Sequence, residues 1–542
     1  MIQSANQATA QGKHIVIVGG GLAGIASAVE LASHGFRVTV VEKNNHFGGK
    51  LNVFEESGYS FDMGPTIITM PQVFRGIVKR SGRKPEDYAE LINLDPQWRC
   101  FYEDGAVLDL AAGLDAMIAR LNAQFPGTDA ADGFTSFVEY ARRMFRLSEK
   151  VFFYKDLGGI ADMMRKPSTD PSVLSDVMAM RLHSTVGHTV HKHIAEPHVQ
   201  QLCEHFLQYV GSSPFLSPAI LSLIASAQVD QGCWYAMGGT RMIGRSLAKI
   251  AGEQGTELIT GHSVTRIIES GGRATGVELD DGRTITADAV VSNCDVQRTL
   301  SGLVGTSGAR SAQADVAKKY VPACSGLVLY LGLDRQYDHL AHHNFLFSGD
   351  STAEFDDIYH KGIPARDPTL YIAAPSRTDR TQAPEGGEAL YVLIHTAYLR
   401  DGHRWETEPG TPGPTLDDYK PVVMDKLRRF GMPDIDEHIV VDRFLTPQGI
   451  ERMYNAEGGA IYGLASHGKL AGGFKPRNRS KTLRGLYLAG GSVNPGPGMP
   501  MVLMSGVTAA RSVCEDFGVS TIDSPLPVRE DGDTPVTAAA TS

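Results

Sequence analysis

The chain has 542 residues, 42% of them hydrophobic, and a formal net charge of −10. That length exceeds one ordinary core, so two or three domains are expected, and an acidic balance without a long basic run excludes nucleic acid and an electrostatic anchor on anionic lipid. Six scattered cysteines lack C-x-x-C spacing and signal neither a disulfide framework nor a zinc site, which fits a reducing, cytoplasmic setting.

The first twelve residues, MIQSANQATAQG, have no charged or apolar region of a secretory signal, and no run reaches the eighteen or so apolar residues of a spanning helix. A soluble or monotopic protein is expected. The chain is organised around Lys13–Lys50, where an apolar run (His14–Val18) stops at three glycines, a small-residue helix follows (Leu22–Ala32), and a second strand (Phe36–Val41) ends at Glu42. Gly19, Gly21 and Gly24 fit G-x-G-x-x-G in the strand–turn–helix context that brings backbone against a pyrophosphate. Leu22 and Ala23, at the helix N-terminus, would offer it N–H donors. Glu42 stands where a carboxylate accepts both hydroxyls of an adenosine ribose and repels a 2′-phosphate, so a dinucleotide other than NADP is expected.

Gly48-Gly49 and Lys50 follow Glu42 closely. They would bring a second loop against the pyrophosphate, with a cation to answer its charge. NAD enzymes rarely carry this extension. Gly58–Pro71 alternates as a strand and breaks at Asp62-Met63-Gly64-Pro65, placing Gly64 and Pro65 near the ring system. From Ala111 to Asp230 the periodicity is helical. Within that insertion Phe145, Val151, Phe152, Phe153, Tyr154, Met163 and Met164 form either plain core or an apolar access face for a greasy ligand. His183, His188, His191, His193, His198 and His205 lack metal-ligand spacing and are read as solvated or capping histidines.

The chain then returns to the nucleotide. A helix after Arg241 leads to strands at 256–261 and 263–269, where Val264 would pass an adenine ring, and to a hairpin turning at Asp281-Gly282 before a buried strand, Ala289–Ser292. Strand-like runs between Gly326 and Thr446, separated by Gly/Pro turns, predict an antiparallel sheet, either purely structural or roofing an elongated pocket with one face. In Leu483–Gly518 a strand ends at Gly490 and Gly491, and Pro500 opens a helix whose first turn, with Met501 and Val502, aims N–H groups at a ring carbonyl or its phosphate chain. A second helix terminus from the far end of the chain suits FAD.

The fold expected is therefore α/β: a Rossmann-type FAD-binding domain assembled from residues 13–100, 241–300 and 471–518, a helical insertion (101–240) for substrate and membrane contact, an antiparallel-sheet substrate domain (301–470), and a disordered tail (519–542) rich in Pro, Asp, Thr and Ala.

The glycine fingerprint with Glu42, Gly48 and Gly49, the stretch FDMGPTIITMP, APEGGEALYVL (Ala383–Leu393) and SVNPGPGMPMVLMSG (Ser492–Gly506) together resemble the bacterial carotenoid desaturases, over about residues 13–516. The family's ending usually reads T-H-P-G-A-G-I-P; here Asn494 replaces its His, and Lys50 stands where Arg is usual, losing the bidentate fork. The resemblance implies FAD-dependent desaturation of an apolar polyene such as phytoene or diapophytoene, by hydride transfer from an allylic carbon to the flavin. It implies no catalytic triad and names no acid or base; His342, His343 and Glu385 are merely polar groups near the expected pocket. Because tunnel and bilayer are both dry, burying a polyene at about 0.8 kcal/mol per CH₂ gives no net gain on leaving the membrane, so peripheral contact with the inner membrane face is expected. The alternatives are a carotenoid oxygenase or isomerase, a hydroxysqualene-type oxidoreductase, a flavin amine oxidase, and a binding protein on the same fold resembling the dissociation inhibitors of prenylated GTPases.

Overall fold

Short runs of Val, Ile and Leu from four distant stretches meet in one sheet. In the computed structural model, which describes residues 10, 12–159, 162, 184–403, 405–406, 415–468 and 472–521, the strands lie in the order Leu486–Leu488, Ala289–Ser292, His14–Val18, Arg37–Glu42, Glu257–Thr260. All four pairings are parallel. Such strands are covered on both faces, which is why they read as unbroken apolar runs. Side chains alternate between the covers: Ile15 and Ile17 face the helices Leu22–Ser33, Arg241–Glu253 and Met499–Asp516, whereas Val16 and Val18 face a small antiparallel sheet, Val264–Ser270, Arg273–Leu279 and Thr284–Thr286. The strands at 257–260 and 264–270, adjacent in sequence, thus serve different sheets.

The first and last helices touch through small residues. A Cβ on Gly506 would lie 2.3 Å from the Ala23 carbonyl oxygen, and Ser27 Oγ donates to the Gly506 carbonyl at 2.9 Å.

A second sheet has the order Ile439–Leu445, Ser325–Leu333, Glu388–Thr396, Leu370–Ala373, His343–Leu346, Trp98–Phe101, Val107–Leu110. It is antiparallel except where His343–Leu346 runs parallel to Trp98–Phe101. Two of its strands therefore come from residues 98–110, which the sequence reading divides between a flavin segment and the helical insertion. Too short to show periodicity, they are held by their neighbours. Leu390, Val392 and Ile394 face the helix Leu416–Arg429. Ala389, Tyr391 and Leu393 face the other way, toward the helices Ala130–Val151, Pro197–His205 and Leu223–Gln231. That second face is where space opens.

The aromatic cluster of the insertion is interior: Phe145, Val151, Phe152 and Phe153 are all buried. Met163 and Met164, and the tail from 522, lie outside the described residues.

Candidate cofactor and substrate site

Gly19 ends the first strand with φ +91°, and its N–H donates to the Val41 carbonyl at 2.8 Å. The turn tolerates no larger residue where the helix begins: a Cβ on Gly24 would lie 2.1 Å from the Gly19 carbonyl oxygen, and one on Gly21 2.5 Å from Asn293 Nδ2. Gly21 caps the helix without a side-chain hydrogen bond, and no acid lies in its first turn. The N–H groups of Leu22, Ala23 and Gly24 and the positive end of the helix dipole therefore remain for an anion. The second glycine pair closes on the first. Gly48 N–H donates to the Gly20 carbonyl at 2.9 Å, and a Cβ on Gly49 (φ +61°) would lie 3.0 Å from Gly21 Cα.

Glu42 is buried at the end of its strand. Its Oε2 accepts from Gly20 N–H at 2.8 Å, and its Oε1 accepts from the backbone N–H (2.9 Å) and side-chain amide (3.0 Å) of Asn44. The carboxylate thus braces the glycine turn and keeps further lone pairs for a ribose. Lys50 is placed differently from the expectation of a phosphate partner. Its ammonium donates to the carbonyls of Ala460 and Ile461 at 3.0 and 2.8 Å, and burial lowers its pKa to about 8. A buried ammonium needs acceptors, and these two join the flavin-side loop to the 460s. Val264 pairs with Leu279 at the edge of the small sheet, half-buried against the cluster that holds Val41 and Ile259.

Sequence reading missed Asn293. It follows the buried strand Ala289–Ser292, and its side chain reaches both glycine turns: Nδ2 donates to the Gly19 carbonyl at 3.4 Å, and Oδ1 would lie 3.2 Å from a Cβ on Gly490. The available signal was its position at the carboxyl end of a central parallel strand, where ligands of such sheets collect. Gly490 has φ +120°. Its N–H donates to Ser505 Oγ at 3.1 Å, and that hydroxyl donates to the Asn494 carbonyl at 2.8 Å. Asn494, the departure from the family ending, is itself buried and hydrogen-bonded to Lys155 and Asn478. The helix Met499–Asp516 starts at Gly498 without a side-chain cap, and Val502 lies 3.7 Å from a Cβ on Gly491. Two uncapped helix termini, two interlocked glycine turns and a free-edged carboxylate fit a flavin dinucleotide.

Gly64 packs on Lys50, whose carbonyl oxygen a Cβ would meet at 2.0 Å. With Pro65, and with Met499, Pro500 and Met501 from the far end of the chain, it lines a cavity of about 190 Å³, open in part to solvent. The opposite wall is Trp98, Phe345, Tyr371, Tyr391 and Leu393 of the large sheet, and Phe152, Phe153, Ile220 and Ile224 close a side. Sequence reading named Gly64, Pro65, Pro500 and Met501 as binding residues and gave Phe152 and Phe153 as either core or an apolar access face; the aromatic and aliphatic wall of the large sheet it did not name. None of the described lining residues is Asp, Glu, Lys or Arg. The chemistry available is shape, dryness and a few neutral polar groups.

Of the polar groups singled out in the sequence, His343 is behind the wall: its Nδ1 bonds the Tyr371 hydroxyl at 2.9 Å, and that hydroxyl also bonds Thr66. His342 Nδ1 bonds Thr378 Oγ1 at 2.7 Å. Burial lowers His342 to about 3 and His343 well below the ordinary range. Glu385 is exposed in a turn, away from the cavity. In the histidine-rich stretch, His191 meets Glu204 at 2.6 Å and His198 bridges Glu196 and Asp104 at 2.7 and 2.9 Å; His183 lies outside the described residues.

A family model described as flavin containing amine oxidoreductase matches residues 22–514. The chain is 38% identical over 502 residues to 4,4'-diaponeurosporene oxygenase of Staphylococcus haemolyticus, covering 92% of this chain and 97% of that one. It is 36% identical over 510 residues to 4,4'-diapolycopene oxygenase of a Methylomonas species, covering 93% and 99%. Among solved structures, an oxidoreductase from Methanosarcina mazei aligns with a TM-score of 0.58 at 16% identity over 93% of this chain and all of that one. Putrescine oxidase bound to putrescine aligns at 0.61 and 12% over 93% and 99%. At such identities the structural likeness concerns the fold.

Proposed function

Because the chain belongs to the flavin containing amine oxidoreductase family, as a bacterial carotenoid desaturase-like flavoprotein that uses FAD, we propose that it oxygenates an apolar, acyclic polyene of the diaponeurosporene type. The observation that carries this reading is the cavity wall, which joins Gly64, Pro65 and Met499–Met501 to a sheet face of aromatic and aliphatic side chains without one Asp, Glu, Lys or Arg among the described residues. A cationic amine would find no carboxylate there, whereas a hydrocarbon needs none. The choice of oxygenation is supported by the activities named for the relatives at 36–38% identity. Desaturation of phytoene or diapophytoene is the second reading, favoured by the FDMGPTIITMP and PGPGMP stretches that resemble desaturases.

FAD, when bound, would supply two-electron redox chemistry with dioxygen as co-substrate: desaturation would pass two electrons and two protons from the polyene on to dioxygen, whereas oxidation of a methyl group to an aldehyde takes one atom of dioxygen into the product and releases the other as water. Gly19, Gly21–Gly24 and Gly49 would cradle its pyrophosphate, Glu42 its ribose, and Gly490, Gly491 and Pro500–Val502 its ring end. The cavity wall would hold the polyene chain by shape, since its hydrocarbon length has no polar handle, and would keep water away. No helix among the described residues is long and apolar enough to cross a membrane; delivery of the substrate from a bilayer is proposed to occur by peripheral contact. Flotation with liposomes tests that step, and protein that stays in the aqueous layer with and without polyene refutes it.

The activity itself is tested by incubating the FAD-loaded protein aerobically with diaponeurosporene, diapolycopene, phytoene and diapophytoene and weighing the products. Gain of oxygen supports oxygenation. Loss of hydrogen alone moves the assignment to desaturation, and turnover of amines with every polyene untouched overturns both.

A further inference from the structure

Besides the indole of Trp98, three side chains that line the cavity leave a buried nitrogen without a partner: His205, Gln208 and His395. His205 ends the helix Pro197–His205 and leads into the 3-10 turn Phe206–Val210. Side chains three apart on such a turn eclipse, so His205 and Gln208 stand one above the other. Gln208 Oε1 accepts from the Tyr359 hydroxyl at 3.4 Å, which fixes the amide. His395 shares the inward face of its strand with Tyr391 and Leu393. All three residues line the cavity, at 4%, 4% and 7% exposure, and the Nε2 atoms of His205, Gln208 and His395 have no hydrogen-bond partner. His205 and His395 are near enough that charging one opposes charging the other. The patch also adjoins the flavin turn. The His395 ring stacks on Tyr462 with centroids 6.2 Å apart, and a Cβ on Gly491 would lie 3.3 Å from the Tyr462 carbonyl oxygen.

Buried polar atoms are normally paired, and several orphans in one place mark a missing partner. We propose that His205, Gln208 and His395 form a subsite for a neutral oxygen function, a hydroxyl or an aldehyde, carried by one end of the polyene. This rests on the polyene-oxidising reading and extends it: the enzyme prefers a polyene that an earlier oxidation has already functionalised, and holds that end beside the flavin turn. The chemistry of the set specifies the ligand. The Gln208 amide donates, and each imidazole donates or accepts according to tautomer, which suits a carbonyl or a hydroxyl. Burial lowers His395 to about 4 and His205 well below the ordinary range, so the patch is uncharged at neutral pH and a carboxylate would enter without a counter-charge. Lys475, behind the wall, already donates to the Ala465 and Gly472 carbonyls and to Ser466 Oγ.

The test titrates the FAD-loaded enzyme, in detergent micelles, with an acyclic polyene hydrocarbon and with its terminal alcohol, aldehyde and acid of equal length, read by quenching of protein fluorescence. The parent enzyme is expected to hold the aldehyde and alcohol roughly tenfold more tightly than the hydrocarbon or the acid, the yield of one net hydrogen bond to an otherwise unpaired buried group. His395→Phe and Gln208→Leu should each bring the aldehyde-to-hydrocarbon ratio toward one. Partition of each probe into micelles is common to all three proteins and cancels between them. An acid bound as tightly as the aldehyde, or a ratio unchanged in both variants, overturns the subsite while the polyene reading stands. Binding of no probe at all overturns the polyene reading and the subsite with it.

Discussion

Around the glycine turns the cofactor half of the site presents backbone N–H groups and almost no side chains, whereas the cavity half presents aromatic and aliphatic side chains from four or more segments and almost no backbone. The first half is rigid because main chain touches main chain: a Cβ at Gly24 meets the Gly19 carbonyl, and a Cβ at Gly506 meets the Ala23 carbonyl. The second is shaped by side-chain volume, as where Trp98 packs on Phe345 with centroids 4.4 Å apart and Phe345 on Tyr371 at 4.9 Å. A contact between two backbones admits no substitution. A wall of side chains can be rebuilt, so substrate choice can drift while the cofactor stays.

Damage to one half should accordingly leave the other recognisable. Gly24→Val places branched carbon 2.1 Å from a carbonyl oxygen that has nowhere to move; the expected outcome is protein without flavin, destabilised by about 3 kcal/mol or more, measured as flavin absorbance per chain and as a denaturation midpoint. Leu393→Asp sets a carboxylate in the uncharged wall. Desolvating it costs several kcal/mol, so polyene turnover should fall by about 100-fold or more with flavin content preserved. Retained turnover would place the substrate elsewhere. Glu42→Ala removes the acceptor of the Gly20 and Asn44 N–H groups, at about 1–3 kcal/mol, and should weaken flavin binding without altering the order in which loaded enzyme prefers its polyenes. A change in that order would mean that the two halves are coupled through the glycine turn.

The same contrast explains what could be read before the fold was known. Gly19, Gly21, Gly24, Glu42 and Gly49 lie within one short stretch, and their function depends on local spacing that sequence displays directly. Asn293 and Gly490 belong to the same turn cluster, yet only parallel pairing of Ala289–Ser292 and Leu486–Leu488 with the first strand brings them there. Lys50 shows the limit from the other side, since a cation after a Gly-Gly pair points to phosphate, but its partners are carbonyls some 410 residues away. The cavity was least visible. Trp98, Phe345 and Leu393 have the composition of any core, and their facing a cavity follows from strand parity and sheet order, which no single stretch encodes.

Proton uptake offers the finest separation of the halves. Burial lowers His395 of the cavity to about 4, against about 6.5 in an unfolded chain. Between those values the unfolded chain binds the proton and the folded one does not, so stability rises with pH through this window and is lost as pH falls below 6.5. From pH 7 to 5.5 the loss from this one group is about 1 kcal/mol. Asp295, two residues beyond Asn293 of the glycine-turn cluster, is shifted the opposite way, up to about 6 by burial. There the folded chain takes the proton first, so the cost of burying the carboxylate is relieved as pH falls from about 6 toward 4. Acid should therefore strain the cavity while easing the cofactor half. Denaturant midpoints measured at pH 7 and 5.5 should fall less in His395→Phe than in the parent, and more in Asp295→Asn; equal falls in all three would mean that water reaches His395 and that the cavity wall is wetter than its side chains imply.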